Sequence, residues 1–176
     1  MVFPTSFPTR KGRYNIPSLQ DFYVKLEGIN GESKDSKHKG WIDALGFSYG
    51  VSQSSSMFTG GGGGVGKASF DTLSFTHYVD RATPNLFQYC AAGKHIPKVE
   101  VSACKAGDGS QEYLHITLEE VLVTHAGPVG STDDARVKES VSLSYSKIKV
   151  EVKEQNADGT MGAVVTGTWD VKQNKS

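Results

Sequence analysis

Alternation of apolar and polar positions with a period of two dominates this chain. Phe22, Val24 and Leu26 alternate with Tyr23, Lys25 and Glu27 and predict a first strand. A second is predicted from Trp41 to Gln53, with Leu45, Phe47, Tyr49 and Val51 on one face and Ala44, Gly46, Ser48 and Gly50 on the other. A third runs from about Lys67 to Tyr78, apolar at Leu73, Phe75 and Val79, and a fourth is marked by Val99, Val101 and Ala103. In the fifth, Leu114, Ile116 and Leu118 share one face, but Val121 and Val123 have the opposite parity. A bulge or bend near Glu119-Glu120 puts both groups on the core side. The same parity change separates Val141, Leu143 and Tyr145 from Ile148, Val150 and Val152, predicting a second bend near Ser146-Lys147. A last strand holds Val165, Trp169 and Val171 around Gly167.

One short helix interrupts the strands. Thr83 is its expected N-cap, Pro84 fits the first helical position and Gly93 suits the residue after the last turn. Leu86, Phe87 and Cys90 fall at helical spacing and predict its buried face. Gly28 to Gly40 reads as a long, charged loop, and Gly107-Asp108-Gly109 as a tight turn. Gln53 to Ser69, QSSSMFTGGGGGVGKAS, is a low-complexity tether with five consecutive glycines, which demands an unusual backbone path and not a catalytic pocket. The expected fold is mainly β: a compact barrel of about eight strands with one short α-helix and long extended loops. A flat sandwich is the alternative.

Composition narrows the function classes. The chain has 176 residues, with 19 Lys plus Arg balanced by 19 Asp plus Glu. That length fits one domain, residues 19–176, and the zero formal charge argues against nucleic acid as the main partner. Met1 to Pro8 reads as no secretory signal, and no stretch approaches the roughly 20 apolar residues of a membrane span. Residues 1–18, with three prolines, read as a flexible N-terminal extension. Cys90 and Cys104 are expected to be buried free thiols in a reducing cytoplasm.

Candidate chemistry is sparse. Gly46-Phe47-Ser48-Tyr49-Gly50 spells the G-x-S-x-G of hydrolases, but that motif needs a sharp strand-to-helix turn, and alternation passes straight through Ser48. Gly61 to Lys67 approximates a phosphate-binding loop, yet Ala68 stands where Ser or Thr is required and a strand follows in place of a helix. His38, His77, His95, His115 and His125 show no metal-site spacing, and adjacent Glu119 and Glu120 point to opposite faces. No enzyme activity and no cofactor are expected. The small-residue face of the second strand has two readings: close packing against another layer, or a wall facing a water-filled passage.

A set of ordered segments carries a family likeness. Gly31-Glu32-Ser33-Lys34-Asp35, Lys37-His38, Ile42-Asp43 and Phe47-Ser48-Tyr49-Gly50 are followed by Ser52-Gln53-Ser54, the glycine run and Gly66-Lys67. Leu73-Ser74-Phe75-Thr76, Thr83-Pro84-Asn85-Leu86, Gly93-Lys94-His95, Lys105-Ala106-Gly107 and Glu112-Tyr113-Leu114 continue it. Val121-Leu122-Val123, Ala157-Asp158-Gly159 and Trp169-Asp170-Val171 close it. Over about residues 19 to 176 this order resembles the haemolysin-coregulated (Hcp) proteins, tube-forming subunits of bacterial type VI secretion systems.

The resemblance implies a homohexameric ring and rings stacked into a tube expelled by a contractile sheath behind a spike protein. It also implies a lumen that shelters effector proteins. It tips the small-residue face towards the channel and makes Ser48 the candidate effector contact. It places Gly28 to Gly40 between rings, with Glu32, Lys34, Asp35, Lys37 and Lys39 as candidate stacking residues. Assembly in the cytoplasm, then export without a signal peptide, follows from the same likeness. A contractile phage tail-tube protein and a secreted monomeric β-barrel binding module are the rival readings.

Overall fold

A computed structural model describes residues 19–53, 67–105, 111–155 and 160–176. The expected 1–18 extension, most of the serine–glycine tether, the Gly107–Gly109 turn and Ala157 to Gly159 lie outside the described residues.

The strands are β1 (Gln20–Leu26), β2 (Ile42–Ser48), β3 (Val51–Ser52), β4 (Ser69–Phe70), β5 (Leu73–Tyr78), β6 (His95–Lys105), β7 (Gln111–Val129), β8 (Lys138–Ser144), β9 (Lys147–Gln155) and β10 (Met161–Asp170). Helix α1 (Thr83–Ala92) lies between β5 and β6. Eight strands form one antiparallel sheet in the order β10-β9-β7-β6-β1-β2-β5-β8, and a further β7–β8 pairing closes six of them into a barrel. Strands β9 and β10 continue outward from β7, while β3 and β4 form a separate two-stranded ribbon.

Closure depends on the 19-residue β7, whose far edge serves two partners. It pairs with β9 from Leu114 to Glu119 and with β8 from Leu122 to Val129. Between them Glu120 takes a positive φ of 51°, a left-handed conformation that swaps the parity of the strand. Ile116 and Leu118 before it and Val121 and Val123 after it are all buried. The second expected bend is the break between β8 and β9, where the Ser146 amide donates to the Glu119 carbonyl at 3.0 Å. Both parity changes are one feature of the ladder, seen from its two sides.

The core is one cluster that includes Val24, Leu26, Phe75, Leu86, Val99, Leu118 and Leu143. Each such side chain contributes about 1.5–3 kcal/mol of hydrophobic stabilisation.

Four expectations need correction. Strand β2 is bulged between Ala44 and Gly46, so Ala44 and Phe47 both pack on the core while Leu45 is 45% exposed. The third strand is split into β4 and β5, and its third inward residue is His77, because Val79 lies beyond the last rung. The N-cap of α1 is Ala82 with no side-chain cap, since the Thr83 hydroxyl is turned to Glu139. Phe87 is 65% exposed, leaving Leu86 as the buried residue of the helix. The glycine end is as expected: Gly93 adopts φ 59° and its amide caps the Cys90 carbonyl.

Candidate functional site

The closed barrel has two chemically different outer faces. On β2, β5, β8 and the distal half of β7, Phe47, Phe75, Val141 and Ala126 pack on the core, so the residues between them point outward. Ladder register aligns Ser48, Ser74, Ser142 and His125 in one row, and Gly46, Thr76, Ser140 and Gly127 in the next. The Ser74 and Ser142 hydroxyl oxygens lie 2.9 Å apart, and Thr124 Oγ1 donates to the Ser142 carbonyl at 3.1 Å. Ser48 and His125 are exposed, and a methyl added at Gly46 would meet nothing within 4 Å. Small and hydroxyl-bearing residues make up these two rows, with His125 as their one ionisable side chain; Tyr78, Lys138 and Val129 follow in the next row.

The outer face of β1, β6, proximal β7 and β9 is a lattice of opposite charges. Glu100 Oε1 accepts from Lys98 Nζ at 2.8 Å, with Lys25 at 3.7 Å and His115 at 3.6 Å from its carboxylate. Burial works against ionised Glu100, but the Lys98 hydrogen bond and these charges hold its carboxyl below the usual range. Glu112 receives His115 Nδ1 at 2.9 Å, Ser102 Oγ at 2.7 Å and Lys153 Nζ at 3.1 Å. The His115 hydrogen bond above all, with Ser102 and Lys153, holds Glu112 at a pKa of about 2. Lys147–Glu119 and Lys149–Glu151 extend the lattice along β9.

The loop from Gly28 to Gly40 is anchored at its base. Gly31 N donates to the Gly40 carbonyl at 2.8 Å and Ser33 N to the Trp41 carbonyl at 2.9 Å. A side chain at Gly31 would collide with the Trp41 carbonyl, so the close approach requires glycine. His38 is buried, its ring stacked on Tyr23 at 4.2 Å and edge-on to Trp41 at 4.9 Å. Of the five candidate stacking residues, Glu32, Lys34, Lys37 and Lys39 are exposed. Asp35 is instead turned inward: its Oδ1 accepts from the amides of Lys37 and His38, each at 2.9 Å, and lies 2.7 Å from His38 Nδ1. Burial of Asp35 opposes ionisation, but the hydrogen bonds from the His38 ring and from the Lys37 and His38 amides together outweigh it and hold the carboxyl low. Glu32 Oε1 accepts from the Arg81 amide at 3.2 Å, tying the loop to the turn before α1.

Two features escaped the sequence reading. His77 and Glu139 form a buried pair inside the barrel, signalled only by their place in the inward parity of Leu73–Phe75 and Val141–Leu143. An apolar cleft of about 320 Å³ separates the β3–β4 ribbon from β10, with Phe70 and Trp169 stacked at 6.3 Å beside it. Ser48 ends β2 and is followed through Tyr49 and Gly50 by strand β3, not by a helix, and its ladder partner is Ser74, so the G-x-S-x-G spelling has no elbow here. Among the described residues no group of three or more His, Cys, Asp or Glu side chains is placed to hold a metal ion. Cys104 is buried and Cys90 half-buried, both as free thiols.

Comparison with known proteins gives concordant results. Residues 23–152 match the family described as type VI secretion system effector, Hcp. The chain is 45% identical over 156 residues to Protein hcp1 of Pseudomonas aeruginosa, spanning 88% of this chain and 96% of that protein. Its structure is similar to that of Hcp1 from Salmonella typhimurium, at 40% identity and a TM-score of 0.76, covering 90% of this chain and 99% of that one. A solved type six secretion system protein is similar at 29% identity and a TM-score of 0.84, covering 88% and 98% of the two chains.

Proposed function

The chain belongs to the Hcp family of type VI secretion proteins, and we propose that it is a non-enzymatic, ring-forming tube subunit of such an apparatus. Six copies close head to tail around an axis, a heterologous contact whose rotation divides a full turn. Rings stack into a tube that a contracting sheath drives outward behind the spike, carrying effector proteins in the lumen. The subunit is assembled in the cytoplasm and leaves the cell as part of the expelled tube.

The observation that carries this reading is the two-faced barrel. A channel wall must stay wetted without trapping what slides along it. Apolar groups on it would be exposed at about 25 cal/mol per Å², and fixed charges would hold cargo of opposite sign. The rows holding Ser48, Ser74 and Ser142 carry small and hydroxyl-bearing residues in place of both, His125 apart, and they face the lumen in this reading. Ser48 contacts cargo there. The charged lattice of Lys25, Glu100, Lys149 and Glu151 faces away from the channel.

Glu32, Lys34, Lys37 and Lys39 on the anchored loop meet the neighbouring ring, while Asp35 keeps the loop in shape. Exposed ion pairs of this kind contribute about 0–1 kcal/mol each and weaken with salt. Stacking is therefore weak between free rings, which suits a tube that comes apart after delivery. Mass measurement in dilute buffer with electron microscopy of the purified chain tests the reading. Closed rings with a central hole are expected, and a monomer at micromolar concentration would remove it.

A further inference from the structure

His77 and Glu139 are direct partners on the β5–β8 ladder, and both point into the barrel at 0% and 1% exposure. His77 Nε2 lies 2.9 Å from Glu139 Oε2, and Thr83 Oγ1 donates to the same oxygen at 2.6 Å. An acceptor carboxylate oxygen at Nε2 assigns the imidazole proton to that nitrogen. His77 Nδ1 is then a bare acceptor. It faces Asp80 Oδ1 at 3.8 Å, too far for a hydrogen bond, and has no other partner among the described residues. Asp80 Oδ1 also accepts from the Ala82 amide at 2.8 Å, at the entry to α1. Two acceptor atoms thus confront each other, His77 fully buried and Asp80 largely so, with no proton between them. In a low-dielectric interior one proton converts that repulsion into a charge-assisted hydrogen bond.

We propose that the fold contains a proton-binding site between His77 Nδ1 and Asp80 Oδ1, which fills on mild acidification and pins the turn before α1 to β5.

The surroundings favour uptake. Burial raises the proton affinity of Asp80, and the carboxylates of Glu32 and Glu139 add to it against the opposing Ala82 amide and His77. Glu139 approaches from β8, Asp80 from the turn, Thr83 from the start of α1, and Glu32 from the anchored loop. Lys34, Asp43, Tyr78 and Arg136 ring the opening beside Asp80. The β2 partner of His77 is the uncharged Ala44, and the Phe75 ring lies 5.6 Å from the imidazole. A proton bound more tightly by the folded chain than by the unfolded one stabilises the fold as pH falls, and that gain disappears as pH rises past the folded site's affinity.

The test uses the full chain labelled with nitrogen-15. Imidazole nitrogen spectra and denaturant midpoints are recorded from about pH 8 to about pH 5, the range in which histidines titrate. His77 Nδ1 is expected to pass from bare to protonated while the midpoint rises. In Asp80→Asn the amide oxygen keeps the Ala82 N–H contact but the carboxylate that would share the proton with Nδ1 is gone, so the His77 signals are expected to stay nearly constant and the midpoint profile is flatter. The signals of the other histidines serve as internal references in both proteins, and the difference isolates the site. A His77 ring that keeps a bare Nδ1 throughout overturns the proposal, as does an Asp80→Asn profile identical to the parent. If Asp80→Asn does not fold, the ring spectrum of the parent chain decides alone.

Discussion

Ser74 and Ser142 share a hydrogen bond across the β5–β8 ladder, their hydroxyl oxygens 2.9 Å apart, on the barrel face that bears Ser48. Ser48 is the next residue along that row, opposite Ser74 on β2, and its side chain is exposed.

Ser48→Arg is therefore expected to leave the fold intact. Exposed substitutions away from special backbone positions stay within about 0.5 kcal/mol. Ring mass should be unchanged, while cargo binding shifts towards acidic proteins because a fixed positive charge enters a neutral wall. Urea titration and native mass measurement check the first two outcomes, and pull-down with effectors of different charge checks the third. Loss of folding would mean that the side chain is enclosed.

Glu120 carries the bend that lets β7 serve two partners, at φ 51°. Left-handed backbone costs an L-residue roughly 1–2 kcal/mol, and a β-branched residue more. Glu120→Val is expected to destabilise the chain by about 1–2 kcal/mol beyond any loss of the Lys172 contact. Glu120→Gly should be near neutral, because relief of strain offsets the extra freedom of the unfolded chain. Denaturant midpoints of the two variants, compared with Glu120→Ala, separate conformation from charge. A valine variant as stable as the glycine one would show that φ at this position does not matter.

Much of this architecture was legible because alternation and parity are properties of a strand's own sequence. Ile116–Leu118 against Val121–Val123 predicts the bend at Glu120 without knowledge of the partner strands. What could not be read depends on partners distant in the chain. Leu45 looks apolar and inward, yet the bulge opposite Thr76 and His77 turns it out. Val165 looks like core, but β10 is the last strand of the sheet and leaves it 71% exposed. His77 and Glu139 are 62 residues apart, and nothing local in either segment announces the pair. The hydroxyl wall was visible on β2 alone. Its continuation through Ser74, Ser140 and Ser142 needs the ladder register.

Gly31 is the tightest point of the loop assigned to ring stacking. A methyl group there overlaps the Trp41 carbonyl and the start of β2, which are backbone and cannot turn aside. Gly31→Ala is expected to cost about 1–3 kcal/mol and to free the loop from its anchor. If the loop forms the proposed stacking face, ring formation should survive while tube formation at high protein concentration falls. Sedimentation distinguishes rings from tubes. Tubes of undiminished length from a destabilised Gly31→Ala chain would remove the loop from the stacking contact.

Glu112 sets the acid limit of the charged face. His115, Ser102 and Lys153 hold its folded-state pKa at about 2, below the ordinary 4.5. Between those values the unfolded chain binds the proton more readily, so the stabilisation is complete above about 4.5 and is lost as pH falls towards 2. After allowance for solvent screening of this partly exposed pair, the term is on the order of 2 kcal/mol. Glu112→Gln should flatten the fall in stability over that acid range, with Asp35 and Glu100 accounting for what slope remains. Asp80 acts in the opposite sense, because its raised affinity for a proton favours the fold as pH drops. Glu112→Gln should remove the destabilising trend and Asp80→Asn the stabilising one. Denaturant midpoints of both variants across pH measure the two trends separately, and an Asp80→Asn chain that gains more stability on acidification than the parent would contradict the assigned signs.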